Sequence, residues 1–176
     1  RPGADPVSVQ QELDRVVPVI EAIRASLEVV VSVDTSTPEV MTEAAMAGAG
    51  LINDVRALER EGALRAAANT QLPVCLMHMQ GDPKTMQDNP QYDSVLVDVG
   101  VYFEQRIGHC EGAGIPLERI IIDPGFGFGK TLVHNLQLLK QLNVIADKGL
   151  PVLVGMSRKS MIGNVLDRPV DERLYG

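Results

Sequence analysis

The sequence has few of the residues that bind nucleic acids or cross-link extracellular proteins. It contains no Trp, three Phe and three Tyr, and 16 Lys and Arg against 23 Asp and Glu, which gives a net charge of −7. Stacking platforms and positive surface are scarce, so we expect no nucleic-acid partner. The two cysteines, Cys75 and Cys110, are far apart and match neither a disulfide framework nor a paired metal-ligand spacing. This usage favours a reducing compartment, and we predict a cytoplasmic protein.

The sequence also lacks the long apolar run of a membrane protein. No stretch approaches the roughly 18 consecutive apolar residues that a spanning helix requires, so we expect no membrane partner. Hydrophobic residues nevertheless make up 45% of the 176 residues, which is enough to bury a core. The length falls in the range of one domain, and we predict a single domain over residues 1–176.

Short apolar runs alternate with amphipathic stretches along the chain. Apolar residues spaced by three and four predict each helix, and short runs rich in Val, Ile and Leu predict each strand. Ser36 and Glu39 have the spacing of a capping box at the start of one helix. This alternation predicts an α/β fold with a parallel sheet of βα units. The predicted strands cover 29–34, 51–53, 74–79, 120–123 and 152–156, and the predicted helices cover 8–26, 36–48, 62–69, 94–113, 131–147 and 159–166.

Two architectures satisfy this alternation. One is an open, doubly wound sheet, and the other is a closed barrel of eight βα units. A complete barrel needs about 250 residues, so this chain could form only an incomplete one. The pattern alone leaves both architectures open.

Polar residues stand at the ends of the predicted strands. Ligands of parallel sheets bind at the carboxyl ends of the strands, where these residues would meet. Asp and Asn are also ordinary helix-cap residues, which is the simpler interpretation of any one of them. Buried carboxylates need partners, however, so five polar strand ends in succession favour a ligand rich in N–H donors. The strand-end residues are Asp34, Asn53 with Asp54, His78, Asp123, and Ser157 with Arg158 and Lys159.

The segment 123–130 joins a strand-end acid to three glycines and the start of a helix. Glycine permits positive φ and the close approach of a ligand. A phosphate-binding P-loop would require glycine at the position of Pro124, so that interpretation fails by one residue. A flexible turn is the plain alternative, although two Phe beside three Gly are unusual in a linker.

Two other strand ends have competing interpretations. Arg158 and Lys159 precede a predicted helix N-terminus, which favours an anion-binding corner over a solvated basic turn. His78 falls on the strand face opposite Cys75 and Met77, so no metal cluster forms locally. We therefore predict that His78 is a structural histidine.

Six stretches of the sequence together match one enzyme family. They cover residues 1–4, 32–36, 52–54, 76–81, 123–130 and 155–160. On these stretches the chain resembles the bacterial dihydropteroate synthases, the folate-pathway enzymes that sulfonamides target. No stretch would be specific by itself, but the resemblance runs from end to end of the chain.

The resemblance implies a (β/α)8 TIM barrel. This chain would run from the second βα loop to the seventh helix, and would lack about the first two strands and the last strand and helix. An Asn that helps to hold Mg²⁺ and diphosphate would lie outside it, as would an Arg and a His of the eighth strand. Mg²⁺ is therefore an implied cofactor with no ligand in this segment, and the full-length protein is expected to be a homodimer.

The resemblance also implies a reaction and the residues that carry it. Family members condense 6-hydroxymethyl-7,8-dihydropterin diphosphate with p-aminobenzoate and release 7,8-dihydropteroate and diphosphate. The implied pterin-binding residues are Asp34, Asn53, Met77, Asp123, Phe128, Gly155 and Lys159. The implied p-aminobenzoate-binding residues are Arg1, Pro2, Phe128 and Ser157. Of these, Asp34, Asp123 and Lys159 are the candidate catalytic residues.

Other functions are compatible with parts of this pattern. A methyltransferase that uses methyltetrahydrofolate would share the Asp and Asn contacts to the pterin, but it would lack the segment 155–160. A non-catalytic barrel fragment that binds pterin would need no turnover. A P-loop nucleotide hydrolase is disfavoured by Pro124.

Overall fold

Strands and helices alternate along the chain. The structure is a computed structural model and describes residues 7–81 and 85–173, so Arg1 and Pro2 lie outside the described residues. The strands are β1 (Ser32–Asp34), β2 (Leu51–Asp54), β3 (Val74–Met77) and β4 (Ile120–Asp123). The helices are α1 (Val9–Ser26), α2 (Pro38–Met46), α3 (Ala63–Thr70), α4 (Val95–Gly112), α5 (Leu132–Lys140), α6 (Leu142–Ala146) and α7 (Ser160–Leu166). Single turns of 3₁₀ helix cover Leu117–Arg119 and Val170–Glu172.

The four strands form one parallel sheet in the order β1, β2, β3, β4. This arrangement confirms the predicted sheet of βα units. In its register Asp34 pairs with Asn53, and Asn53 pairs with Cys75. Two residues beyond Cys75 on β3, Met77 pairs with Asp123 of β4. Side chains that pair across a parallel sheet project from the same face, so the register decides which strand-end residues meet.

The two faces of the sheet have different compositions. One face packs against the helices and forms the core, in which each fully buried aliphatic side chain contributes about 1.5–3 kcal/mol. The core residues that the strands supply to this face include Ile52, Val74, Leu76, Ile120 and Ile122. We call the opposite face the inner face. Its residues near the carboxyl ends of the strands are Asp34, Asn53, Cys75, Met77, Ile121 and Asp123.

Strand β1 is shorter than the predicted strand over 29–34. Its ladder with β2 begins where Ser32 pairs with Leu51. Val30 precedes this point and is 80% exposed. Branched side chains favour extended backbone, but a ladder forms only where a partner strand lies alongside.

The predicted strand over 152–156 is wrong. A single isolated bridge joins Ile122 of β4 to Val152. It consists of one bond from Ile122 N to the Pro151 carbonyl, at 3.0 Å, and one from Leu153 N to the Ile122 carbonyl, at 2.9 Å. In the described part of the chain no strand pairs with the far side of this segment, so the apolar run docks on β4 without forming a ladder.

The predicted capping box at Ser36 is also wrong. Helix α2 begins at Pro38 with Thr37 as its N-cap, and Pro38 suits the first turn because its φ is fixed. The Ser36 hydroxyl instead donates to the buried Asp54 carboxylate. The same hydroxyl oxygen accepts from Arg56 Nη1 at 3.2 Å, so tertiary partners use both its donor and its acceptor capacity.

The remaining helices follow the predicted spans with small differences. Ser8 and Gln11 form a capping box at the start of α1, and the helix continues through Pro18. The predicted helix over 131–147 divides into α5 and α6 at Gln141, whose ψ of 28° departs from helical geometry. None of the helices in residues 7–81 and 85–173 combines the length and apolar character that crossing a bilayer requires.

The loop after β4 packs on the end of β3. We call residues 125–129 the Gly loop. Gly125 and Gly129 have φ of 68° and 60°, and an added Cβ would collide with backbone atoms of His78 and Gln80, respectively. The glycines at these two positions therefore admit the backbone of the neighbouring strand end, and not a ligand as the sequence suggested.

We predict that Gly125→Ala destabilises the full-length protein by about 3 kcal/mol, because the new methyl group adds both left-handed strain and a clash with the His78 carbonyl. The matched control is Gly108→Ala, within α4, where an added Cβ meets nothing within 4 Å. This control should be neutral or stabilise by up to about 1 kcal/mol. Urea unfolding measures both, and equal stability of the two variants would contradict the predicted packing.

Candidate functional site

Three polar side chains predicted for the site meet on the inner face. Asp34 and Asn53 are paired neighbours on β1 and β2. Asp123 ends β4 on the same face, opposite Met77. The chain therefore brings two carboxylates and one amide together at the carboxyl ends of three strands, which is where parallel sheets bind ligands.

Asp34 and Asn53 have unused hydrogen-bonding capacity. The Asp34 side chain is open to solvent on one side, yet partial burial raises its pKa. The negative charge of Asp54 raises this pKa further, while a hydrogen bond from the Asn53 side chain lowers it. The Asn53 Oδ1 atom is buried and accepts no hydrogen bond from the described residues. A buried acceptor without a donor is costly, so this position suits a ligand N–H group.

Asp123 is fixed by the loop that follows it. Its side chain is 7% exposed, and its Oδ1 atom accepts a hydrogen bond from Gly125 N at 2.8 Å. Burial raises its pKa, while the Gly125 hydrogen bond and the cations of Lys159 and Lys130 lower it. Oδ2 accepts no hydrogen bond from the described residues. Asp123 therefore holds a fixed carboxylate with one oxygen available to a ligand.

Lys159 closes the site from the start of α7. Its ammonium donates to the Phe126 carbonyl and lies 4.8 Å from the centroid of the Phe128 ring. A Cβ on Gly155 would lie 3.8 Å from the same ammonium. Burial lowers the pKa of Lys159, and the charge of Asp123 opposes this shift. The cation, the aromatic ring and the small residue predicted for the pterin pocket thus form one cluster.

Lys130, the lysine of the failed P-loop pattern, makes no hydrogen bond with the polar side chains of the inner face within the described residues. It is 3% exposed, and its Nζ atom lies between the end of β3 and the Gly loop. Burial lowers its pKa to about 7, with the charge of Asp123 opposing and that of Lys159 adding to the shift. No role for Lys130 follows from the sequence, since its only signal there is a motif that fails at Pro124.

His78 and Cys75 take no part in the polar cluster. The His78 ring packs edge-on against Tyr102 of α4, with 4.9 Å between ring centroids, in agreement with the predicted structural histidine. Burial, with the nearby Lys130 cation, lowers the pKa of His78 to about 3, so the ring is neutral. Burial raises the pKa of Cys75 to about 12, which leaves its thiol protonated and unsuited to nucleophilic attack.

A second carboxylate holds the loop after Asp34. We call residues 35–37 the TST loop. Glu12 of α1 accepts hydrogen bonds from the hydroxyls of Thr35 and Thr37, the second at 2.7 Å. Sequence reasoning missed Glu12, although an acid on the apolar stripe of α1, next to Leu13, was a visible signal. Helix α1 thus fixes the backbone that carries Asp34.

Asp54 has the ordinary structural role that any strand-end acid could have. It is fully buried, and it accepts hydrogen bonds from the backbone N–H groups of Arg56 and Leu58, each at 2.9 Å. Its other donor is the hydroxyl of Ser36. Asp54 therefore has a structural role, but it holds the turn over residues 55–58 and caps no helix, because α3 begins at Ala63 with Gly62 as its N-cap. Its neighbour Asn53 lies on the inner face.

Other predicted site residues are not joined to this cluster. Ser157 is exposed in the turn before α7, and it makes no side-chain hydrogen bond with the described residues. Arg1 and Pro2 fall outside those residues. No group of three or more His, Cys, Asp or Glu side chains that could hold a metal ion occurs within 7–81 and 85–173. Mg²⁺, whose protein ligand is expected outside this segment, stays a prediction.

Comparison with known proteins identifies the family. The sequence matches the family described as pterin binding enzyme over residues 1–176. The chain belongs to the pterin binding enzyme family. Curated members similar to it include the dihydropteroate synthases of Escherichia coli K12, 58% identical over 176 residues, and of Haemophilus influenzae, 55% identical over 176 residues. All of this chain is covered in both alignments, but it spans only 62% and 64% of those proteins.

Solved structures of pterin binding enzymes share the fold. A Yersinia pestis dihydropteroate synthase with a bound sulfonamide drug matches 99% of this chain at 56% identity, with a TM-score of 0.96, and 63% of that protein is covered. A Xanthomonas albilineans dihydropteroate synthase with 4-aminobenzoic acid matches 98% of this chain at 49% identity, with a TM-score of 0.92 and 62% of that protein covered. The chain is thus an α/β segment of the TIM barrel fold, which confirms the predicted fold class and the predicted family.

We predict that Glu12→Gln loosens the TST loop, because a neutral amide with one acceptor oxygen cannot keep two charge-assisted hydroxyl bonds. The free energy of unfolding should fall by about 1–2 kcal/mol, and the backbone amides of residues 35–37 should exchange faster with deuterium. Glu21→Gln, on the exposed side of the same helix, is the control. Unchanged exchange at residues 35–37 in Glu12→Gln would contradict the role of Glu12.

Proposed function

We propose that the full-length protein is a dihydropteroate synthase. It would condense 6-hydroxymethyl-7,8-dihydropterin diphosphate with p-aminobenzoate to give 7,8-dihydropteroate and diphosphate. The observation that carries this proposal is the cluster of Asp34, Asn53 and Asp123 on the inner face, closed on one side by Lys159. Similar proteins that carry this name support it, as does the sulfonamide complex of the Yersinia pestis protein.

The pterin fits this cluster chemically. A pterin presents a row of N–H donors, and a carboxylate can accept two of them side by side. Asp123 supplies a fixed carboxylate, and Asn53 supplies a buried oxygen to which no described residue donates. Met77 lies beside Asp123 and would pack on the pterin ring, together with Phe128 and Gly155 near the Lys159 ammonium.

The proposed reaction needs no nucleophilic side chain. The bond between the pterin methylene carbon and the diphosphate oxygen breaks first, and the electron pair leaves with the diphosphate. The p-aminobenzoate nitrogen then attacks the resonance-stabilised cation and loses a proton. Asp34 and Asp123 would stabilise positive charge spread into the ring, while Lys159 would hold the ring in place. The protonated thiol of Cys75 agrees with a mechanism that has no covalent enzyme intermediate.

The second substrate would bind at the open side of the cluster. We assign Ser157 to the p-aminobenzoate carboxylate, with Phe128 and the segment around Arg1 and Pro2 as the rest of that pocket. Ser157 is exposed and precedes α7, so its hydroxyl is available to a ligand. Sulfonamides would occupy the same pocket. Dependence on Mg²⁺, a homodimeric assembly and a cytoplasmic location stay predictions.

We predict that Asp123→Asn removes most pterin affinity while the fold is retained, since the variant loses a charge-assisted contact in a buried position. Such a loss costs about 2–5 kcal/mol, so affinity should fall by at least about 30-fold. Calorimetric titration of the full-length protein with a pterin ligand measures it. Asp147→Asn, at an exposed helix end, should bind as the parent does. Affinity of Asp123→Asn within about threefold of the parent would rule out the assigned role.

We predict that Ser157→Ala separates the two substrates. The apparent KM for p-aminobenzoate should rise by about tenfold, which corresponds to one lost hydrogen bond to a charged group. Pterin affinity should stay unchanged, because the described contacts of the pterin cluster do not include Ser157. Steady-state kinetics and pterin titration on the same preparation test this. If pterin affinity falls in parallel with the KM effect, Ser157 is structural.

A further inference from the structure

All five carbonyl oxygens of the Gly loop accept a hydrogen bond from a side chain. Lys130 donates to the carbonyls of Gly125 and Phe128, at 3.1 and 3.0 Å. Lys159 donates to that of Phe126. The remaining two carbonyls accept bonds from Gln87 Nε2 to Gly127 O and from Tyr92 Oη to Gly129 O. Side chains therefore contact every carbonyl of this loop, and one backbone bond, from Phe128 N to the Gly125 carbonyl at 3.0 Å, adds to them.

Lys130 holds the side of this loop that faces the core. Besides the two loop carbonyls, its ammonium contacts His78 Nδ1 at 2.9 Å and the His78 carbonyl at 3.3 Å. These four acceptors are all uncharged. An ammonium has three N–H donors, and burial away from water favours keeping all of them bonded. One lysine thus joins the end of β3 to both ends of the Gly125–Phe128 turn.

The two lysines act on opposite sides of the loop. Lys159 contacts it from the ligand side, where its ammonium also lies over Phe128. Lys130 contacts it from the buried side and fixes the position of the Phe128 carbonyl by a hydrogen bond. Gly125 is joined both to Lys130 and, through its N–H group, to Asp123. Any movement of the buried contacts would therefore shift Asp123 and Phe128 together.

We propose that Lys130 is a positioning residue for the pterin site, which fixes Asp123 and Phe128 by clamping the Gly loop to His78. That the positioned site binds pterin rests on the proposed function. The contacts by which Lys130 joins the Gly loop to His78, which we call the clamp, do not depend on it. Lys130 touches no reacting atom in this role. The alternative is that Lys130 contributes to folding alone, without affecting where the loop stands in the folded protein.

The clamp makes a specific demand on the His78 ring. Nδ1 can accept from the Lys130 ammonium only if it carries no proton, so the neutral ring must carry its proton on Nε2. Long-range ¹H–¹⁵N correlation spectra of the full-length wild-type protein report the tautomer directly. We expect the Nε2–H form at a pH between the pKa of His78, about 3, and that of Lys130, about 7, where the ring is neutral and the lysine is an ammonium. A proton on Nδ1 would overturn the proposal, and this measurement needs no variant.

The second test compares Lys130→Met with Lys140→Met, an exposed lysine at the end of α5. The full-length protein is labelled with 4-fluorophenylalanine, and the Phe128 signal is assigned by its loss in Phe128→Leu. In folded Lys130→Met we expect the Phe128 ¹⁹F resonance to shift and broaden, and pterin affinity to fall by about tenfold. The Phe103 resonance, from the core, should stay in place, and Lys140→Met should match the parent in every measurement.

A folded Lys130→Met protein with the parental Phe128 resonance, and with pterin affinity within about twofold of the parent, would overturn the proposal. If Lys130→Met does not fold, the wild-type His78 tautomer alone decides between the clamp and its absence. Failure of the proposed function has a different signature. In that case the wild-type protein makes no dihydropteroate, while the His78 tautomer and the Phe128 resonance still report on the clamp.

Discussion

The parallel register of the four strands is the constraint on which the site depends. Pairing of Asp34 with Asn53, and of Met77 with Asp123, places their side chains on the inner face. A slip of one residue in any strand would turn its polar residue into the core. The apolar residues between them, such as Ile52 and Ile122, prevent that slip because they fill the opposite face. Core packing and site geometry are therefore two consequences of one register.

Two buried networks turn this register into fixed side-chain positions. Glu12 holds the TST loop after Asp34, and Lys130 contacts the Gly loop after Asp123. Both come from outside the strands that they serve, Glu12 from a preceding helix and Lys130 from the end of the loop itself. Because Glu12 and Lys130 supply hydrogen bonds to these two loops, the carboxylates of Asp34 and Asp123 keep oxygens available to a ligand. Such support is what a site built on loops requires.

Much of the fold could be predicted from local patterns, and the exceptions have a common cause. The span of β4 and that of α1 follow from runs and spacing of apolar residues. The predicted strand at 152–156 failed because periodicity cannot show whether a partner strand lies alongside. The cap at Ser36 failed because its hydroxyl donates to Asp54 and accepts from Arg56, residues that lie 18 and 20 positions further along the chain. Local signals fail where a distant partner decides.

The site was predicted unevenly for the same reason. Asp34, Asn53 and Asp123 are strand-end residues, and one rule about parallel sheets was enough to group them. Glu12 acts on hydroxyls 23 and 25 residues away, and Lys130 joins its own loop to His78, 52 residues away; no spacing rule contains such contacts. The sequence singles out three glycines as a place for a ligand to approach. Two of them, Gly125 and Gly129, instead make room for the backbone of His78 and Gln80. Sequence thus indicated which residues meet the ligand better than it indicated what holds them there.

A crystal structure of the full-length protein with a bound pterin tests the central claim most directly. We predict that the N–H edge of the pterin meets the Asp123 carboxylate and the Oδ1 atom of Asn53 within about 3.2 Å, with Met77 against the ring. A pterin bound elsewhere on the protein, or in this pocket with its N–H edge turned away from Asp123 and Asn53, would contradict the assignment of the inner face as the pterin site.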